Sequence, residues 1–240
     1  MMKNLYRIRP LHFLLWWVAC SVFIWPLAVL MIGLVMVPIA FVMQGVFPYM
    51  PDNDIILAVT IAPLMGISIS IAIATLQRWL LRNKLYWAAD SWRKWTMLGG
   101  AVGAIAVYGV VSAVENIFSS YLYYYANDWG TFLMMPVFVL CVAAFQWLSL
   151  RHAVKQAWLW ILGNAIAGIV FSGLIYRNQS FLDFDSGWAA LLIMALAVLG
   201  QGFITGFVML FLFEKKLLPM TPEGQEMDSD RPKSVWDEAI

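Results

Sequence analysis

Six long apolar runs divide this chain, and nearly all of its Lys and Arg residues fall in alternate gaps between them. The runs span residues 14–42, 55–80, 95–118, 131–150, 157–176 and 188–213. Because an α-helix rises about 1.5 Å per residue, about 20 apolar residues suffice to cross a hydrocarbon core of about 30 Å. Only 12% of the residues are charged, too few to cover a soluble domain. The sequence therefore predicts an all-α integral membrane domain of six transmembrane helices within residues 1–218.

The basic residues predict the orientation of these helices. Fourteen of the fifteen Lys and Arg residues lie before the first run, in or beside the second and fourth gaps, or after the last run, and Arg177 is the exception. Since cationic flanks stay in the cytoplasm, we expect the N-terminus and the C-terminus there. Residues 219–240 are polar and acidic, which indicates a disordered cytoplasmic tail.

Prolines and cysteines within the runs carry two further expectations. The first run is too long for one straight crossing, and Pro26 and Pro38 should kink it or end it early, leaving residues 42–49 along the interface. Cys20 and Cys141 lie in different runs, so we interpret them as small core residues and expect no disulfide, metal site or cofactor. The net charge of +1 gives no reason to expect a nucleic-acid partner.

A nine-residue pattern occurs twice in the chain. ATLQRWLLR at residues 74–82 and AAFQWLSLR at residues 143–151 each place Leu-Arg four and five residues after a glutamine. Tryptophans and a glycine follow each copy in the next run. One copy joins the second run to the third, and the other joins the fourth to the fifth. The sequence thus predicts two pseudo-repeated helical hairpins, as in many membrane folds built from repeats.

The second copy resembles the repeated hairpin of a broad group of bacterial membrane proteins that is common in cyanobacteria and Chloroflexi. Residues 145–168 read FQWLSLRHAVKQAWLWILGNAIAG, and copies in that group read roughly Gln-Trp-Leu-x-Leu-Arg, then Ala-x-x-Trp and a glycine-rich helix. Residues 200–210, GQGFITGFVML, are similar to the group's closing Gly-x-x-Gly-x-Ile-Thr-Gly signature. The first copy departs from the group's pattern in two ways. It has Arg78 where the group usually has Trp, and its loop is longer. The resemblance implies this fold in a bacterial cytoplasmic membrane, and it transfers no chemistry.

The repeated glutamines, Gln77 and Gln146, are the first candidate site residues. Each lies one to two turns inside the cytoplasmic boundary, where an amide must find hydrogen-bond partners because lipid offers none. We favour bonds between helices, with similar stabilisation from both glutamines. The alternative is a polar pair that lines a pocket in the inner leaflet.

Four further side chains are weaker candidates for a binding site: Arg82, Arg151, Trp147 and Glu115. The arginines either extend their long side chains to the interface, which is the interpretation we favour, or hold an anionic headgroup. Glu115 is an acid near the outer boundary, and we favour a bond to headgroups or to Arg177 over a functional role.

Tryptophan is concentrated at the inner ends of the runs. We interpret most of these residues as interfacial anchors, and a surface for an amphiphile or a partner is the alternative. The residues are Trp16, Trp17, Trp79, Trp87, Trp92, Trp95, Trp147, Trp158 and Trp160. Small residues four apart at 99–103, 163–167 and 202–206 indicate close helix packing, within one chain or between chains. His12 and His152 are interpreted as solvated residues rather than as axial haem ligands.

Three classes of function remain open. The leading hypothesis is a structural or accessory membrane protein that packs with itself or with other subunits through its small-residue faces and inner tryptophans. The alternative is a carrier or substrate-binding component for a small apolar or amphiphilic molecule, by analogy with the six-span vitamin-binding components of energy-coupling transporters. An intramembrane enzyme is the weakest hypothesis, since HExxH, GxSxG and phosphate-loop motifs are all absent from the sequence. The lipid bilayer is the one partner that all three share.

Overall fold

The structure, a computed structural model, describes residues 10–46, 61–82, 86–118, 123–177 and 187–216. Six helices occupy most of these ranges: α1 (Pro10–Val46), α2 (Ala62–Arg82), α3 (Tyr86–Phe118), α4 (Tyr123–Leu150), α5 (Trp158–Arg177) and α6 (Gly187–Lys216). Each contains a stretch that is long and apolar enough to cross a membrane. The prediction of six helices of this kind is confirmed. The predicted tail at residues 219–240 lies outside the described residues.

Four helices are longer than the sequence predicts: α1, α3, α4, which begins at Tyr123 rather than at residue 131, and α6. α1 continues through Pro26 and Pro38 to Val46, so of the two expected effects of these prolines, a kink or an early end, the early end does not occur. Each proline removes one N–H donor, whereas ending the helix among apolar groups would leave several backbone groups without partners. α3 begins at Tyr86 rather than at residue 95, so much of the predicted second basic gap is helical. The earlier start places Trp92 on the helix, where its side chain is buried.

The six helices form a ring in chain order. Each helix packs against the next, and α6 packs against α1 to close the ring. Phe13 near the start of α1 contacts Phe213 near the end of α6, with ring centroids 5.8 Å apart, so these helix ends lie at the same end of the bundle. We name it the basic end, and its exposed cations include Arg93, Lys94, Arg151 and Lys155. The opposite end is named the far end.

The closest crossing joins α2 and α3. A Cβ atom on Gly66 would overlap the backbone oxygen of Gly100, and a Cβ atom on Gly100 would overlap the hydroxyl of Ser70. Ser70 is fully buried, and its hydroxyl has no hydrogen-bond partner within the described ranges. The two glycines therefore allow a backbone approach that any side chain would prevent.

The three small-residue patterns all face helices of the same chain. Gly99 and Gly103 of α3 contact α4, and Gly163 of α5 contacts α6. Gly202 and Gly206 of α6 contact α1. A Cβ atom on Gly163 would lie 2.7 Å from Val208, and one on Gly206 would lie 2.8 Å from the ring of Trp17. Of the two alternatives, packing within one chain is the one that the structure shows at these positions.

Packing is uneven along the axis of the bundle. No described residue is buried in α1 beyond Ala28, in α3 beyond Gly103, or in α6 before Ala197. We name these stretches, residues 29–41, 104–114 and 188–196, the far segments. The far segment of α1 alone extends for about 20 Å at the rise of an α-helix. In a filled bundle the inward face would be buried at every turn, so the described residues pack closely near the basic end and sparsely toward the far end.

Candidate functional site

Four helices meet at two glutamines near the basic end. Gln146 of α4 is buried, and its Nε2 donates hydrogen bonds to Oε1 of Gln77 on α2 and to Oγ1 of Thr96 on α3, both at 3.0 Å. Its Oε1 accepts a hydrogen bond from Nε1 of Trp160 on α5, also at 3.0 Å. Trp92 of α3 donates to the same Oε1 of Gln77 at 3.2 Å. The two glutamines are thus bonded to each other and to the helices beside them.

The indoles determine how both amides are oriented. An indole N–H can only donate, so each glutamine must turn its Oε1 toward its tryptophan. Both N–H groups of Gln146 are then used, and its three hydrogen bonds leave little capacity for anything else. Gln77 accepts two hydrogen bonds, and no described residue accepts one from its Nε2. The two amides are therefore unequal, although their sequence contexts are alike.

α1 and α6 join this cluster through a third tryptophan. Nε1 of Trp17 donates to Oγ1 of Thr205 at 3.1 Å, and that hydroxyl donates in turn to the backbone oxygen of Gln201 at 2.9 Å. The Trp17 ring meets the Trp160 ring edge-on at 6.0 Å, and Trp160 lies 5.8 Å from Trp92. Every helix thus contributes at least one side chain. We name the cluster the tryptophan hub, and its members are Trp17, Gln77, Trp92, Thr96, Gln146, Trp160 and Thr205.

The tryptophan hub closes the basic end of the ring. Its three indole side chains are at most 1% exposed, and Ala153 and Val154 of the α4–α5 loop are buried in the same apolar cluster. Amides, indoles and hydroxyls do not titrate near neutral pH, so the hub offers no proton donor or base. Its chemistry is that of holding helices together, because its hydrogen bonds meet no competing water.

The inner tryptophans differ in burial, and Trp95 and Trp147 are half-buried. Trp17, Trp92 and Trp160 are buried, so these three are not among the interfacial anchors that most of the inner tryptophans were expected to be. Interfacial anchors and core tryptophans occur at the same depth in a span, so position along the chain does not distinguish them. The indoles that are exposed, as anchors would be, are those of Trp16, Trp79 and Trp158. The side chain of Trp87 lies outside the described residues.

The weaker candidates lie away from the hub or outside the described side chains. Arg151 is exposed just past α4, and its guanidinium Cζ lies 5.5 Å from the ring centroid of Trp147. Arg82 is the last residue of α2 and Glu115 lies on α3, and neither side chain is described. The pairing of Glu115 with Arg177 therefore stays a prediction.

The histidines and cysteines do not come together. Nε2 of His12 accepts a hydrogen bond from the Trp16 indole at 3.0 Å, and Nε2 of His152 accepts one from Nε of Arg151 at 3.0 Å. Cys20 and Cys141 are free thiols on different helices. In the part of the chain that the structure describes, no three His, Cys, Asp or Glu side chains are grouped as metal ligands.

Sequence reasoning identified the glutamines and missed their partners. Trp92 follows Gln77 by 15 residues and Trp160 follows Gln146 by 14, a regularity that the sequence displays. Thr205 lies in the Ile-Thr-Gly signature of residues 200–210, but no spacing in the sequence predicts its contact with Trp17, because the two meet where α6 closes the ring on α1.

The chain matches no protein-family model, and neither a curated protein nor a solved structure is significantly similar to it. The likeness to the bacterial group with repeated hairpins therefore stays an expectation from the quoted motifs. Function has to be argued from the geometry of the ring.

Thr205→Val tests the contact between α1 and α6. The change keeps the shape of the side chain and removes the acceptor of the buried Trp17 indole, so we expect a loss of about 1 kcal/mol in the free energy of unfolding. Thermal unfolding in detergent measures it. Thr75→Val is the matched control, because that exposed hydroxyl bonds only to its own helix at the Ile71 oxygen. Equal stability of the two variants would contradict the contact.

Proposed function

We propose that this chain is a multi-pass protein of a bacterial cytoplasmic membrane that binds a small apolar or amphiphilic molecule in the far part of its helical ring. The exposed cations of the basic end support a cytoplasmic placement of the tryptophan hub, because cationic flanks stay in the cytoplasm. On this orientation both chain ends are cytoplasmic, and the ring opens toward the outer leaflet.

The observation that carries the proposal is the sparse burial of the far segments, in which no described residue is buried. On α1, Leu34, Val37 and Phe41 are exposed at helical spacing, as residues facing lipid would be. Val35 and Met36 lie on the less exposed face of the same turns, yet they are only half-buried. A molecule bound beside this face would cover what the described residues leave half-buried.

The described residues that pack beside the far segments are apolar. Phe138, Val139 and Val142 of α4 form one buried cluster, and Phe171 of α5 stacks on Trp25 of α1 with ring centroids 5.5 Å apart. Pockets lined mainly by aliphatic and aromatic groups hold apolar molecules and use few polar groups to orient them. The class of ligand that fits is therefore small and largely apolar.

Assembly with other membrane subunits is the second candidate function. The small-residue faces expected to serve it are occupied by helices of the same chain. One surface supports it: Trp16 and Trp79 are 43% and 47% exposed and meet edge-on at 5.6 Å on the outside of α1 and α2. A partner helix would bury this pair.

The hydrogen bonds also support the proposed internal repeat. In the α2–α3 hairpin and again in the α4–α5 hairpin, a tryptophan early in the second helix donates to the glutamine of the first. We infer that the hairpins are pseudo-equivalent and that their two glutamines meet near the axis relating them.

Native mass spectrometry of the chain after gentle detergent extraction tests the proposed function. We expect a retained small molecule on the wild type and on Leu34→Trp, whose added indole faces lipid. Met36→Trp places the same indole toward the ring interior and should lose most of that mass. A bare chain in all three proteins, or equal retention in both variants, would contradict the proposal. A retained protein subunit would support the second candidate instead.

A further inference from the structure

The loop between α4 and α5 carries an arginine whose side chain has two side-chain partners. Nε of Arg151 donates to Nε2 of His152 at 3.0 Å, and its guanidinium lies over the ring of Trp147 at 5.5 Å. An arginine that only extends toward water needs no such partners. These contacts use one of its five N–H donors, and no described residue accepts from the other four.

The loop that carries this arginine is itself anchored. The backbone N–H groups of Ala153 and Val154 each donate to the oxygen of Leu150 at 2.9 Å, and both side chains are buried. Gln156 adopts a left-handed conformation with φ of 60°, and its oxygen accepts a bond from the N–H of Leu159 at the start of α5. A preformed loop loses little conformational freedom when a ligand binds.

The surroundings of Arg151 are those of a membrane–water boundary. Arg151 follows directly on the apolar span that ends at Leu150. The next cation after Arg151 is Lys155, and Trp158 follows it by three residues. Trp158 is 54% exposed, and exposed indoles lie at the level of lipid headgroups. Two exposed cations of α3, Arg93 and Lys94, add positive charge at the same end.

We propose that Arg151 binds the phosphate of an anionic phospholipid of the inner leaflet, with Trp147 and His152 as positioning residues. The terminal N–H groups of a guanidinium match two phosphate oxygens, which a lysine ammonium cannot do with the same geometry. The position next to the apolar span places the lipid's acyl chains beside α4 and α5. This proposal is independent of the molecule bound in the far part of the ring.

Lipid titration followed by native mass spectrometry tests it. Delipidated full-length protein in detergent receives phosphatidylglycerol or phosphatidylcholine, and the bound lipids are counted. We expect the wild type to prefer phosphatidylglycerol, and Arg151→Gln to weaken that binding about tenfold, as for the loss of a charge-assisted pair. Arg151→Lys keeps the charge and should weaken it less. Arg93→Gln, the matched loss of an exposed cation at the same end, should change binding by less than about twofold.

Three results would overturn the proposal. Equal losses for Arg151→Gln and Arg93→Gln would mean diffuse attraction by all cations of the basic end. Equal binding of the two lipids would mean that the anionic headgroup is not recognised. Displacement of phosphatidylglycerol by inorganic phosphate alone would assign the site to a soluble anion. If Arg151→Gln does not fold, Arg151→Lys takes its place in this comparison. A loss of phosphatidylglycerol binding no larger than that of Arg93→Gln would then overturn the proposal.

Discussion

Gln146→Leu is expected to lower the free energy of unfolding by about 2–4 kcal/mol. The substitution removes three hydrogen bonds at once, those to Gln77, Thr96 and Trp160. The indole N–H of Trp160 then stays buried without its acceptor, and an apolar environment supplies no replacement. Unfolding by heat or by SDS titration in detergent measures the loss.

Gln77→Leu is the matched comparison, since Gln77 occupies the equivalent position of the repeated pattern. It removes two hydrogen bonds, both accepted by Oε1 of a half-buried side chain, so we expect about 1–2 kcal/mol. The sequence alone predicts equal losses for the two glutamines, and the geometry predicts unequal ones. Equal losses, or a larger loss for Gln77→Leu, would contradict the central place of Gln146 in the tryptophan hub.

Gly100→Ala is expected to destabilise the protein by about 1–3 kcal/mol, the usual cost of overpacking a close contact. The added Cβ would overlap the hydroxyl of Ser70 and approach the backbone oxygen of Gly66 at 2.5 Å. One of these atoms belongs to a backbone, so relief requires α2 and α3 to move apart. The same unfolding measurement in detergent detects the change.

Gly109→Ala is the control on the same helix. Nothing lies within 4 Å of a Cβ atom built on Gly109, so this substitution meets open space. Alanine favours a helix over glycine by about 1 kcal/mol, and we expect stability to hold or to rise. If the two alanine variants unfold alike, the crossing of α2 and α3 is looser than described.

The helical spans could be predicted because the membrane leaves a chain few alternatives. An apolar run long enough to cross the hydrocarbon core must satisfy its backbone internally, and a helix does so. The same rule explains why α1 continues through Pro26 and Pro38, which were expected either to kink the helix or to end it early. Each proline removes only one backbone hydrogen bond, whereas ending the helix inside the hydrocarbon core would leave several backbone groups unpaired. The helix therefore continues.

The candidate site could be predicted in part. Gln77 and Gln146 stand out because amides are rare in apolar runs and need partners. Their indole partners could not be separated from interfacial anchors, since Trp17 and Trp16 are neighbours in sequence and differ only in which face of α1 they occupy. That face is set by ring closure between α1 and α6, a long-range contact with no local signal.

Cysteine accessibility tests most directly whether the ring is filled at the tryptophan hub and open at the far end. Single cysteines are placed at Val35, Val37 and Ala143 in a protein whose Cys20 and Cys141 are replaced by Ala. A small water-soluble thiol reagent is then added to the reconstituted protein. We expect Val35→Cys to react fastest, Val37→Cys to react slowly against lipid, and Ala143→Cys, which is fully buried, to stay unmodified. Modification of Val35→Cys as slow as that of Ala143→Cys would contradict the open far end.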